Sequence, residues 1–206
     1  MLLTVAIVDY GTGNLHSVIR SLNRLGTNGT VASNSEEILR SDKIILPGVG
    51  HFGRAMQRMQ SLGLVPALNH AVLVDKKPIL GICLGMELMA KRGEEGDSEG
   101  LGWFNGEIVR FRIKNELKYK VPHIGWNQIH ISKDSRLMKD IPEASEFYFL
   151  HSFHFAMSDR SSILNETEYE YTFPSAIEKD NIFGVQYHPE KSHDLGVQLL
   201  KNFLDL

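Results

Sequence analysis

Three short apolar runs, Val5 to Val8, Lys43 to Leu46 and Ile79 to Ile82, each end in a glycine-containing turn with a helical pattern behind it. Thr30 to Ala32 adds a fourth strand candidate in the same half of the chain. Runs of this kind are buried on both faces, which requires a parallel sheet covered by helices on either side. The intervening segments suit that role. In "NLHSVIRSLNRLG", Leu15, Val18, Ile19, Leu22 and Leu25 share one helical face, with Asn14 placed as N-cap and Gly26 as the stop. "SNSEEILRS" reads as a small helix with acids in its first turn, and Arg54 to Asp75 as a longer helical region.

The second half has a different rhythm. "GWFNGEIVRFRI", "KYKVPHIGWNQIHI" and "SEFYFLHSFHFAM" are rich in aromatic and branched residues at hairpin-like spacing, so additional, partly antiparallel strands are expected there. Ile182 to Gln186 reads as a last sheet strand. Ser192 to Leu206 closes the chain as an amphipathic helix with Leu195, Leu199 and Leu200 inward. The expected fold is α/β, a doubly wound and mainly parallel sheet, in one domain over residues 1–206.

The net charge of −3 gives no general reason to bind nucleic acid or an acidic membrane surface. The opening "MLLTVAIVDYG" has no basic leader and is too short to span a bilayer. A single cysteine cannot form an internal disulfide, so a reducing, cytoplasmic setting is expected.

That cysteine lies in Gly81-Ile82-Cys83-Leu84-Gly85, the G-x-nucleophile-x-G form of a nucleophile elbow. Glycines two residues to either side remove the Cβ atoms that would collide in so tight a turn. A helix starting after Cys83 would aim free N–H groups at the sulfur and favour thiolate, and the Leu84 N–H is placed to hold an oxyanion. On the pentapeptide alone, a buried structural cysteine fits as well. "VQYHPEKS" supplies a base and its orienting group: His188 follows a strand, and Glu190 lies beyond the rigid Pro189. Strand C-termini gather along one edge of a parallel sheet, which would bring Cys83 and His188 together. A third segment, "LPGVGHF", has glycines that let main-chain N–H groups approach a ligand closely.

In this order, these segments resemble a triad-type (class I) glutamine amidotransferase, and in particular the glutaminase subunits that work with a (β/α)₈ cyclase in histidine biosynthesis. The similarity covers essentially the whole chain, through "DYGTGNLHSV", "LPGVGHF", "GICLGMELM", "EGLGWFNGEIVRF", "VPHIGWNQI", "YFLHSF" and "GVQYHPEKS". The resemblance implies a flavodoxin-like glutaminase that hydrolyses glutamine through a thioester on Cys83, with His188 as base and Glu190 orienting it. It implies Val49, Gly50, Leu84, Glu87, His151 and Ser152 as oxyanion and substrate residues, and Tyr10, Asn14, His16, Pro122, Trp126 and Asn127 as contacts to the cyclase in a heterodimer. No cofactor is implied. The bound partner would tune the oxyanion strand, leaving the isolated chain nearly inactive.

The chain departs from the family pattern at two positions above all. Relatives usually carry glutamine where this chain has Glu87, one helical turn after Cys83. An ionised carboxylate there could not donate a hydrogen bond, would repel an α-carboxylate and would raise the thiol pKa. His16 stands where relatives often have arginine. Such differences leave open a paralogous subunit that feeds ammonia to an enzyme amidating a surface-polysaccharide or flagellar sugar. A catalytically weak regulatory subunit is a further alternative. "GTGN" lacks the third glycine of a dinucleotide loop and reads as a capped turn. His151 and His154, three apart on a strand, should project to opposite faces and cannot share a metal. Met86 and Met89 read as packing residues, and "KRGEEGDSEG" as a mobile surface loop.

Overall fold

The computed structural model describes residues 3–206. The first part runs β1 (Val5–Val8), α1 (Leu15–Arg24), β2 (Gly29–Ala32), α2 (Ser35–Arg40), β3 (Lys43–Gly48), α3 (Phe52–Ser61) and α4 (Leu64–Asn69). A π-helical turn (His70–Val74) follows, then β4 (Ile79–Cys83) and α5 (Leu84–Glu87). Next come β5 (Ala90–Gly93), β6 (Ser98–Glu99), β7 (Phe104–Arg110), β8 (His123–Gln128) and β9 (His130–Ile131). β10 (Glu146–His151), β11 (Phe153–Met157), β12 (Ile163–Tyr169), β13 (Tyr171–Lys179), β14 (Ile182–Val185) and α6 (His193–Leu204) complete the chain.

The main sheet has the order β2-β1-β3-β4-β14-β13-β12-β9. Its first five strands are parallel, and the remaining three pair antiparallel. Alternate residues of one strand feed two cores. Ala6 and Val8 pack with α3, α4 and Phe104, whereas Val5 and Ile7 pack with α1, α6 and Phe147. Both faces of the parallel strands are therefore closed to water, the condition under which unbroken apolar runs such as Val5–Val8 are stable. Two smaller sheets, β10-β8 and β11-β7-β5-β6, account for the aromatic second half.

Local chemistry explains several boundaries. Asn34 accepts from the Glu37 N–H at 3.0 Å while the Glu37 carboxylate accepts from the Ser33 N–H at 2.7 Å, a reciprocal cap that starts α2. Asn14 is the N-cap of α1, but its side chain makes no capping bond, contrary to expectation. The helical region expected over 54–75 is divided at Gly63, whose φ of +67° ends α3 before α4 begins. "KRGEEGDSEG" is an ordered hairpin of β5 and β6 rather than a mobile loop: Glu94 accepts from the Arg110 N–H and pairs with Arg112, and Glu95 accepts from the Phe52 N–H at 2.7 Å. Specific acceptor sites for its two glutamates outweigh its loop-like composition.

His151 and His154 do not point to opposite faces. The chain changes sheets at Ser152, β10 pairing with β8 and β11 with β7, and this break cancels the alternation. Both imidazoles turn onto Phe111, with ring centroids 5.2 and 4.6 Å from it. Among the described residues, no helix is long and apolar enough to cross a membrane.

Candidate active site

Strand register assembles the site. In the parallel ladders Gly48 lies opposite Cys83, and Val185 opposite Ile82. The oxyanion segment, the cysteine and the residues following β14 therefore emerge side by side at one edge. Cys83 has φ +53° and ψ −112°, a strained conformation for a non-glycine residue. The flanking glycines make it possible. A Cβ on Gly85 would lie 1.7 Å from the Leu46 carbonyl oxygen, and one on Gly81 would meet Gly85 and Met86 backbone at 2.7 Å. Gly48 serves the same end, since a Cβ there would sit 2.1 Å from the Tyr10 hydroxyl.

His188 is held from three sides. His188 Nδ1 lies 2.8 Å from Glu190 Oε1, in a pair whose side chains are 1% and 2% exposed. The His188 N–H donates to the Tyr148 carbonyl, and the Ser192 hydroxyl donates to the His188 carbonyl at 2.6 Å. With its Nδ1–H given to Glu190, His188 presents the Nε2 lone pair, and that atom is buried without a partner in the chain. The Cys83 thiol donates instead to the Leu150 carbonyl, at a long 3.7 Å. Sulfur and imidazole thus share an edge but no hydrogen bond in this conformation.

A cavity of about 340 Å³ opens beside the sulfur, within the size range of small-molecule sites. Every residue expected to serve the oxyanion or substrate lines it: Val49, Gly50, Leu84, Glu87, His151 and Ser152, together with Cys83. Sequence reasoning missed Glu95, Arg110, Leu150 and Phe153, which also line it, and placed Pro122 only at a partner surface.

The family model for class-I glutamine amidotransferases matches residues 6–206. The chain belongs to the class I glutamine amidotransferase family. Similar proteins include the imidazole glycerol phosphate synthase subunit HisH 2 of Methanococcus maripaludis, 44% identical over 97% of this chain and 98% of its own. HisH 1 of Campylobacter jejuni (strain RM1221) is also 44% identical, over 98% and 100%. HisH of Zymomonas mobilis is 46% identical, over 98% and 95%. Among solved structures, PurLQS from Thermotoga maritima shares the fold with a TM-score of 0.77 at 15% identity, covering 100% of this chain and 99% of that one. The glutaminase domain of Trypanosoma brucei CTPS does so with a TM-score of 0.67 at 16% identity, covering 98% and 94%.

Burial governs the electrostatics of this amidotransferase at two groups. Burial raises the Cys83 thiol pKa well above its ordinary value, Glu87 and Glu190 add to the rise, and the Leu84 N–H and Gln186 amide oppose it. The expected thiolate is therefore not the resting state, because α5 is a single turn whose field cannot offset loss of water. Glu87 is 5% exposed, and its Oε1 accepts from Gln186 Nε2 at 2.8 Å. Burial pushes its pKa up to about 8. At neutral pH Glu87 is then mostly a neutral acid, which can donate a hydrogen bond, and the repulsion expected of a carboxylate applies only at higher pH.

The folded chain retains a Glu87 proton that an unfolded chain releases above about 4.5. The stability this provides is complete below 4.5 and is lost as pH rises through 8. Glu87→Gln, which cannot titrate, should have a Tm that exceeds wild type increasingly between pH 5 and 9. Parallel melting curves across that range would show Glu87 to be an ordinary solvated carboxylate.

His151 is neutral as well, its pKa held well below the usual range by burial and by His123. Its Nδ1 contacts the Phe153 carbonyl at 2.7 Å, which fixes the proton there. His123 Nδ1 then donates to His151 Nε2 at 3.0 Å, and His123 Nε2 faces the Asn127 amide at 3.3 Å. This relay, bracketed by Phe111 and Phe149, positions the back wall of the cavity.

The residues expected to contact a partner divide into two groups. His16, Pro122 and Trp126 are exposed and Asn14 is partly so; Trp126 is 46% exposed and stacks on His193 at 5.0 Å. Tyr10 is fully buried, its hydroxyl donating to the Pro47 carbonyl at 3.0 Å. It braces the oxyanion segment and faces no partner. Asn127 points to the opposite side of β8 from Trp126 and donates to the Glu168 carbonyl. Its amide serves this chain.

Proposed function

We propose that this chain is a glutaminase subunit, one functional domain over residues 1–206, that releases ammonia from glutamine for a (β/α)₈ cyclase subunit making imidazole glycerol phosphate. The single observation that supports the chemistry best is the strained Cys83 elbow on the wall of a cavity, with the buried His188–Glu190 pair following the neighbouring strand β14 at the same sheet edge. The near full-length relatives named as imidazole glycerol phosphate synthase subunits support the pathway.

The steps follow from these positions. Substrate binding brings the Cys83 thiol to His188, whose Nε2 removes the proton as sulfur attacks the carboxamide carbon. The Leu84 N–H and main-chain groups of the Val49–Gly50 segment stabilise the resulting oxyanion. The imidazolium, steadied by Glu190, returns that proton to the amine, and C–N cleavage yields ammonia and a glutamyl thioester. Water, deprotonated by the same Nε2, then attacks the thioester, and glutamate leaves as the thiol is reprotonated. Because the resting thiol is protonated, His188 rather than the helix turn must generate the nucleophile.

Ile124 and Trp126 lie exposed on β8, and Trp126 adjoins Tyr148 beside the His188 loop, which supports this face as the one that meets a partner. Trp126→Ala should weaken binding to the cyclase by about tenfold or more. An unchanged dissociation constant in a direct binding assay would remove this face from the interface.

A second reading concerns the acceptor. The Methanococcus, Campylobacter and Pseudomonas relatives carry the numbers 2, 1 and 2 in their names, which admits a duplicated subunit serving a sugar-amidating partner. The glutaminase half-reaction is common to both readings. Ammonia transfer with each purified partner and its acceptor separates them. Conversion of the imidazole precursor supports the first; conversion of the sugar alone supports the second. A cytoplasmic location suits either, since the lone nucleophile is a thiol that must stay reduced.

A further inference from the structure

We infer that Glu87 and Gln186 form a latch closed by a proton, tying helix α5, which follows Cys83, to the strand that leads to His188; its effect on turnover rests on the glutaminase reading. Glu87 ends α5, one helical turn after Cys83, and Gln186 directly follows β14. Gln186 Nε2 donates to Glu87 Oε1 at 2.8 Å, and the same nitrogen lies 3.9 Å from the Cys83 sulfur. The two side chains therefore meet beside the thiol.

What each group lacks assigns the proton. Gln186 is fully buried, and its Oε1 finds no donor in the chain unless Glu87 carries a hydrogen. A carboxylate offers that amide oxygen nothing, whereas a carboxylic acid offers one O–H and closes a ring of two hydrogen bonds with the amide. No cation stands by to hold a charge instead: among the described residues, no ion pair includes Glu87. The titratable groups around it are Cys83 at the end of β4, Tyr10 after β1 and Glu95 of the β5–β6 turn. Arg110 and His151 share the cavity, and His188 and Glu190 continue the Gln186 segment. Burial holds Cys83 and Tyr10 protonated and His151 neutral, and Glu95 adds to the rise that burial imposes on Glu87.

With the proton in place, the latch holds the elbow against the His188 segment. Once it is lost, a carboxylate faces an amide oxygen that it cannot satisfy, beside a thiol whose ionisation it opposes. Turnover should therefore fall as pH rises through about 8, over the range in which a thiol centre otherwise gains nucleophile. A glutamine at position 87 would meet the same amide oxygen with an N–H that never titrates. Glu87 acts here as a positioning residue, through Gln186 rather than on the substrate.

The test measures glutamate release by the complex with its cyclase partner from pH 7 to 9, for wild type and Glu87→Gln. Wild-type kcat should fall about tenfold over that range, as one proton with a pKa of about 8 is lost. In Glu87→Gln, kcat at pH 9 should stay within about twofold of its own value at pH 7. A wild-type kcat that does not fall, or a fall that persists in Glu87→Gln, would overturn the latch. So would a fall confined to kcat/KM, which gives the proton to the substrate. Infrared difference spectra of the complex, wild type minus Glu87→Gln, read the same proton without turnover. The carbonyl band of a protonated carboxylic acid should be present at pH 7 and largely lost by pH 9. With Gln186→Met in both chains the band should move to higher frequency, because its O–H no longer has the amide acceptor. No band at pH 7, or a band unmoved in folded Gln186→Met, would contradict the assignment. A band that titrates as described in a complex that never hydrolyses glutamine would defeat the glutaminase reading and leave the latch standing.

Discussion

Replacing Cys83 by alanine should reduce glutamate release in the partner complex by about 10⁴-fold or more, because it removes the one thiol of the chain, which stands at the elbow on the cavity wall. His188→Asn should cost about 10²- to 10⁴-fold, the span of general acid–base catalysis. The two losses should not multiply in the double variant. The imidazole acts by deprotonating this one thiol, so once the sulfur is gone little of its contribution remains. Residual release within tenfold of wild type in Cys83→Ala, measured with melting curves to exclude misfolding, would mean that another group does the chemistry.

Gly85→Ala should be the most damaging single substitution for stability. Its added methyl would lie 1.7 Å from the Leu46 carbonyl oxygen, a backbone atom in the centre of the parallel sheet that cannot turn aside. A loss of about 4 kcal/mol or more is expected, seen as a lower denaturant midpoint or as failure to accumulate folded protein. Gly26→Ala is the control. That position also has positive φ, +72°, but its Cβ meets nothing within 4 Å, so only about 1 kcal/mol of backbone strain is at stake. If Gly85→Ala unfolds at the wild-type midpoint, strand β4 and helix α5 are not packed as described. The same substitution would displace Cys83, so surviving folded protein should also be inactive.

Much of this was legible from residue pattern. The apolar runs at Val5, Lys43, Ile79 and Ile182 became the parallel strands, because a period-free hydrophobic stretch bounded by glycine has few other ways to be buried. The elbow and the His188–Glu190 pair were legible because their geometry is local: a turn needs its glycines, and a carboxylate two residues from an imidazole needs only a rigid proline between them. What escaped notice depended on distant partners. Glu95 reads as loop chemistry until Phe52 provides its donor, and Tyr10 reads as exposed until Pro47 provides its acceptor. The protonation of Glu87 and Cys83 is hidden for the same reason, since it follows from burial that only the folded chain creates and that outweighs the opposing hydrogen bond from Gln186, a hundred positions away. The break at Ser152 that turns His151 and His154 to one side could not be seen in an apparently continuous strand pattern.

The most direct measurement is the intact mass of the chain, in its partner complex with acceptor present, after rapid quenching of the reaction with glutamine. The mechanism predicts a transient species heavier by one glutamyl group, mapped to the peptide containing Cys83, absent in Cys83→Ala and accumulating more slowly in His188→Asn. Steady glutamate production with no adduct on Cys83 at any time, or an adduct on another residue, would contradict it.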